Sequence, residues 1–244
     1  MGALMICSVE LPVPYLEYST CFDYDFVIAS IWIVNEEYRD YYLYKRSKRF
    51  TILDNGAFEI GHAIDDDQYI KIAAELHPDI IICPDVFKNQ PATGSRAIAF
   101  IDKWLDNLIP GIDLMGVLQG NSRRSLISMY NTLYKQHCKY IGLPYATEID
   151  RFQFLKAHPE IENVHILGLP NLAEALALCT LPNVVSIDSS LPVKITKDEM
   201  LLEDKFYSDS YVDIQDHSLT TSLLQHNLEI FSAVCNRKTK IVRR

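Results

Sequence analysis

Three aspartates and one glutamine stand where short apolar runs end. The segments are Leu53-Asp54-Asn55-Gly56-Ala57-Phe58-Glu59, Cys83-Pro84-Asp85-Val86-Phe87, Gly116-Val117-Leu118-Gln119-Gly120 and Ser186-Ile187-Asp188-Ser189-Ser190-Leu191-Pro192. If those runs are neighbouring parallel strands, the four side chains share one rim. Carboxylates gathered in one crevice raise each other's pKa, which is the electrostatic setting for a nucleophile beside a general acid or base. Each residue also has an ordinary explanation. Asp54-Asn55-Gly56 reads as a turn, because Asp and Asn bond their own backbone and Gly supplies positive φ. Asp85 and Asp188-Ser189-Ser190 read as helix caps. Their recurrence at successive strand ends, with Gln119-Gly120 among them, favours chemistry.

The elements that must position these residues are legible as an alternation. Apolar runs at Phe26–Val34, Phe50–Leu53, Ile80–Cys83, Leu114–Leu118, Tyr140–Leu143, Val164–Leu169 and Val184–Ile187 are short, rich in β-branched residues and bounded by Gly, Pro or Asp. That pattern predicts strands buried on both faces of a parallel sheet. A shorter strand near Met5–Val9 completes eight. Between them, Asp65–Leu76, Thr93–Leu108, Ser122–Gln136, Glu148–Ala157, Leu172–Cys179 and Leu219–Asn236 have helical spacing. Asp198–Asp216 is acidic and aromatic, and reads as a late loop or insertion. Repeated strand–helix units over 244 residues predict an α/β fold, a (β/α)8 TIM-type barrel, with a doubly wound sheet as the alternative. No Gly-, Pro- or Ser-rich linker interrupts the chain, so a single domain over residues 1–244 is expected.

Composition narrows the function. The net charge of −9 argues against broad, nonspecific binding to a phosphate backbone. The terminal Arg237, Lys238, Lys240, Arg243 and Arg244 form a local basic stretch, read either as a solvated tail or as a contact. Six scattered cysteines without a C-x-x-C pair predict a reduced protein and no metal site. The N-terminus lacks signal-peptide character and Phe26–Val34 is about half a membrane span. A cytoplasmic protein without membrane contact is expected. Of the seven histidines only His165 falls within a predicted strand, before the rim, and it reads as a packed core histidine. No Walker or dinucleotide-binding motif is present, and no cofactor is expected.

The ordered set D-x-G-x-F at Asp54–Phe58, the strand-end Asp85, V-x-Q-G at Val117–Gly120, G-L at Gly142-Leu143, L-G at Leu167-Gly168 and D-x-x-L-P at Asp188–Pro192 resembles the tRNA-guanine transglycosylase superfamily. The resemblance extends to its bacteriophage and bacterial relatives that insert 7-deazaguanine bases into DNA, and it runs from Leu53 to Pro192. It implies a (β/α)8 barrel that exchanges guanine for a 7-deazaguanine by breaking an N-glycosidic bond. It further implies that Asp188 is the nucleophile attacking C1′, and that Asp54 is the general acid/base near the departing and incoming bases. Asp85 would read the purine N1 and exocyclic amine, and Gln119 would donate to O6. Asn55 and Gly120 would flank these contacts, the backbone of Gly142 and Leu143 would meet the base edge, and Phe58 would stack on it. A target inside a duplex would have to be flipped out.

The departures from the family pattern set further expectations. After Pro192 there is one cysteine, Cys235, so the family's zinc subdomain has no counterpart here. Ser189-Ser190 stands where a Cys-Val pair is usual, and Asn121 where a further Gly is common. With the short chain, these features imply a DNA substrate rather than tRNA. A basic groove of Lys45-Arg46, Lys48-Arg49, Arg123-Arg124, Lys194 and the tail would offset the acidic balance. The partners expected are DNA and a 7-deazaguanine base, with a homodimer or a partner subunit left open. The alternatives are a nucleoside or base glycosidic hydrolase, a tRNA-type transglycosylase, and a non-catalytic base-binding subunit.

Overall fold

The computed structural model describes residues 5–45, 49–107, 109–145, 149–205, 207–208 and 210–236. Eight strands follow in chain order: β1 (Ile6–Val9), β2 (Asp25–Ile28), β3 (Thr51–Asp54), β4 (Ile80–Ile82), β5 (Asp113–Val117), β6 (Tyr140–Pro144), β7 (Val164–Leu167) and β8 (Val184–Ser189). They belong to one sheet with the order β1-β8-β7-β6-β5-β4-β3-β2. Helices alternate with them: α1 (Ala29–Val34), α2 (Glu36–Asp40), α3 (Ala57–Ile60), α4 (Asp66–Leu76), α5 (Gln90–Trp104), α6 (Arg123–Met129), α7 (Arg151–Ala157), α8 (Leu172–Leu178), α9 (Leu191–Lys197) and α10 (Thr221–Cys235). The fold is α/β, of the (β/α)8 TIM-type barrel class expected from the alternation.

The chain divides into two compact units, Met1–Asp25 with Arg151–Arg244, and Phe26–Asp150. In the first unit β1 pairs in parallel with β8, and β8 with β7. The core is built from Val164, Ile166, Ile187, Leu228 and Phe231, all almost fully buried. In the second unit β3, β4, β5 and β6 pair in parallel in that order. Their Ile and Leu side chains are buried, as are Phe100 and Tyr134 from the covering helices. Strands buried on both faces explain why the sequence shows continuous apolar runs rather than alternation.

The largest departure from the sequence expectation concerns Phe26–Val34. The strand ends at Ile28, and Ala29–Val34 is helical, burying Ala29 and Trp32 while Val34 is exposed. An unbroken apolar run carries no period that separates a buried strand from a helix. Four of the predicted helices start on side-chain caps: Asp65 accepts from Gln68 N, Asn89 from Ala92 N, Ser122 from Ser125 N and Asn171 from Glu174 N. The basic tail, Arg46, Lys48 and the expected helix start at Glu148 lie outside the described residues. The acidic segment after α9 is tied down by Asp198, which accepts from Lys205 Nζ, Ser208 Oγ and Ser210 Oγ. Among the described residues no helix is long and apolar enough to cross a membrane.

Gly56, between β3 and α3, has φ +80°, and an added Cβ would sit 2.7 Å from the Ser30 Cβ. Gly56→Ala therefore meets both a left-handed backbone and a side-chain overlap. It is expected to lower unfolding free energy by about 1–3 kcal/mol, read by urea titration.

Candidate active site

In the second unit β3 and β4 deliver Asp54 and Asp85 to their C-terminal ends. Tyr69 of α4 fixes that level. Its hydroxyl donates to the carbonyl of Leu53 (2.7 Å) or Ile82 (3.0 Å) and accepts from Ile82 N (3.1 Å). Tyr69→Phe leaves these buried backbone groups short of a partner. An expected loss of about 1–3 kcal/mol in chemical denaturation follows.

Asp85 is the hub of this cluster. Asn55 Nδ2 donates to Asp85 Oδ1 at 2.9 Å and to the Cys83 carbonyl at 3.1 Å. Gln119 Nε2 donates to Asp85 Oδ2 at 2.7 Å. All three side chains are buried. Burial nevertheless raises the Asp85 carboxyl above its ordinary range, against the opposing bonds from Gln119 and Asn55 and the charge of Arg96. Asn89, not Asp85, caps the helix that follows. Asp54 does take the turn geometry foreseen for it: its Oδ2 accepts from Gly56 N at 2.7 Å, and Asn55 Oδ1 accepts from Ala57 N at 2.9 Å.

The other predicted residues of this unit fall around that hub. Gly120 abuts Ser125 Oγ and Leu126 Cδ2, each 2.8 Å from where a Cβ would stand, so a larger residue would push into α6. Gly142 and Leu143 are buried in β6, and the Gly142 carbonyl accepts from Leu118 N at 2.9 Å. That carbonyl is thus committed to the protein backbone. Phe58, on α3, is 52% exposed. Its ring meets Phe87 edge-on at 5.4 Å and Tyr145 at 5.9 Å. The sequence pattern points to Phe58 but not to Phe87 or Tyr145, although both follow strand ends, in Pro84-Asp85-Val86-Phe87 and Leu143-Pro144-Tyr145.

In the first unit β8 presents Asp188 at 2% exposure. His165 of β7 bonds Asp188 Oδ1 through Nε2 at 2.8 Å and Ser186 Oγ through Nδ1 at 2.7 Å. Burial pushes the imidazole down to about 3, so the ring is neutral. A neutral ring carries one N–H, and an ionised carboxylate can only accept, so Nε2 bears the hydrogen while Ser186 donates to Nδ1. The backbone N–H of Gly168 also bonds Asp188, and Arg151 adds a favourable charge. Arg151 itself is buried and forks onto Glu174 with two 2.8 Å bonds. Asp188 is no helix cap; Ser189 Oγ accepts from Leu191 N instead, at 3.0 Å.

Two residues here carry roles that the sequence does not reveal. His165 is buried as foreseen, yet it also orients a carboxylate. Glu10, just beyond β1, hydrogen-bonds Asp188; desolvation and the charge of Asp188 raise the Glu10 carboxyl, while desolvation raises that of Asp188 against the opposing bond from Glu10. The one signal for Glu10 is its place directly after Met5–Val9, the shorter strand that completes the set. Chemically, this unit offers a buried carboxylate held by N–H donors. The other offers a carboxylate–amide reader for a donor–donor edge, beside exposed aromatic rings. Among the described residues no group of His, Cys, Asp and Glu is arranged to hold a metal ion. Compared with family models and with curated proteins, the chain matches none.

Proposed function

We propose that this protein is a base-exchange transglycosylase that replaces guanine by a 7-deazaguanine base in DNA through a covalent Asp188–sugar ester. The observation that carries this reading is Asp188 itself: a buried strand-end carboxylate bonded by the His165 Nε2–H and the Gly168 N–H. In the first half-reaction an Asp188 oxygen bonds C1′. The C1′–N9 bond breaks, its electron pair leaves with guanine, and Asp54 as acid supplies the proton that neutralises the base. In the second half-reaction the Asp54 carboxylate takes the proton from the incoming base. That base bonds C1′, and the ester bond returns its electron pair to Asp188.

Asp85 would accept from purine N1–H and the exocyclic amine. Gln119 uses one amide hydrogen on Asp85, which leaves the second for O6. Phe58, with Phe87 and Tyr145, presents an aromatic surface of the kind bases stack on. Arg49, Arg123, Arg124 and Lys194 are described members of the basic set that would meet phosphates.

Incubation with duplex DNA and a radiolabelled 7-deazaguanine base tests the reading. Label entering DNA with stoichiometric release of guanine is expected. Guanine release without incorporation would point to a glycosidic hydrolase instead. Neither event, on DNA or tRNA, would leave only a base-binding role.

A further inference from the structure

We propose that Glu10 is a positioning residue for Asp188, holding the one proton that the two carboxyls share so that Asp188 stays anionic and aimed; this rests on the base-exchange reading. The geometry begins with strand register. β1 and β8 run in parallel with Ser8 opposite Asp188 and Val9 opposite Ser189. Side chains alternate along a strand, so Glu10, two residues past Ser8, emerges on the face that carries Asp188. There the two carboxyls hydrogen-bond each other. Two ionised carboxylates cannot do so, because both only accept; one must carry a proton.

The surroundings decide which one. Asp188 receives N–H donors from His165 and Gly168 and feels Arg151, all of which favour its charge. Glu10 feels Lys194, but desolvation and the charge of Asp188 outweigh it and push the Glu10 carboxyl upward. The proton therefore sits on Glu10. The other groups facing the pair are accounted for: His165 is neutral, Tyr24 is held in its phenol form by burial, Arg151 is paired with Glu174, and Cys7 lies next to Ser8 on β1. The pair itself is what titrates towards neutrality.

The pH profile follows. Exchange rises as the pair loses its first proton and Asp188 becomes anionic. It falls when Glu10 loses the second, because two facing anions repel and the hydrogen bond that aims Asp188 is gone. Glu10→Gln keeps a donor that cannot ionise. It should retain the ascending limb and lose the descending one. Glu10→Ala removes the donor, so kcat at the wild-type pH optimum should fall at least about tenfold with KM for the base little changed, and Gln should restore most of that loss. A residue with a merely structural role would leave the shape of the profile alone.

A second readout needs no substrate. Infrared spectra of the ligand-free protein at neutral pH, taken as wild type minus Glu10→Gln and wild type minus Asp188→Asn, should each show a protonated-carboxyl band lost in the variant. Superimposable pH profiles for wild type and Glu10→Gln would overturn the inference, as would the absence of that band from both difference spectra. A wild type that exchanges no base at any pH would sink the proposed function instead, and the infrared result would still decide whether the pair holds a proton at neutral pH.

Discussion

Asp188→Asn is expected to lower base exchange by at least about 10⁴-fold, the scale on which removing a covalent nucleophile registers. The substitution is nearly isosteric, so the loss should be chemical rather than structural. The Asn Oδ1 can still accept from His165 Nε2–H, replacing the 2.8 Å bond made by Asp188. Its amide can donate to Glu10, which no longer faces a charge and ionises at lower pH. Folding should therefore survive and improve at neutral pH. The sign follows from linkage. Asp188 and Glu10 have raised folded-state pKa values, so the native state holds more protons than the unfolded chain above the ordinary carboxylate range. The stability this pair contributes is thus fully present below that range and falls as pH rises towards neutrality. Asn at position 188 removes much of that fall. Thermal melts across this window, run beside exchange assays, should show an inactive protein that melts at or above the wild-type temperature.

Asp85→Asn should instead act on recognition. Two charge-assisted hydrogen bonds to the purine edge, at about 1.5–3 kcal/mol each, correspond to a rise in KM for the base on the order of 10²- to 10⁴-fold. The fold should suffer too. Both Asp85 oxygens already accept amide hydrogens, from Asn55 at 2.9 Å and Gln119 at 2.7 Å. An Asn at position 85 turns its own NH2 towards one of those donors, and the donor–donor contact costs about 1–3 kcal/mol. The expected signature is a large KM effect, a small kcat effect and a lowered denaturation midpoint. Asp188→Asn should give the opposite split. Equal kcat and KM effects in both variants would argue against separate roles.

The fold was largely legible because strands buried on both faces announce themselves as short β-branched runs and the helices between them keep helical spacing; the caps at Asp65, Asn89, Ser122 and Asn171 then set where those helices start. Phe26–Val34 failed for the same reason the others succeeded: an apolar run lacks a period, and only the burial of Trp32 beside the exposure of Val34 reveals the helix after Ile28. The strand-end aspartates and Gln119 could be found by reading one residue per strand. What surrounds them could not. Glu10 reaches Asp188 through register between the first and last strands, elements at opposite ends of the sequence, and no local pattern encodes that pairing. His165 looked like filler because an inward strand position and a partner to a carboxylate are indistinguishable in one dimension. Asn55 was legible as a turn residue and, through the resemblance, as a flank of the base contacts, but not as the residue whose amide holds Asp85 while its carbonyl oxygen makes the turn.

The most direct test of the central claim is to trap the intermediate. The wild-type protein is incubated with a guanine-containing DNA oligonucleotide, denatured before base is added, digested and mapped by mass spectrometry. A nucleotide mass on the peptide bearing Asp188, displaced when a 7-deazaguanine base is supplied before denaturation, is the predicted result. Base incorporation without that adduct, or an adduct mapped to Glu10 or Asp54, would contradict it.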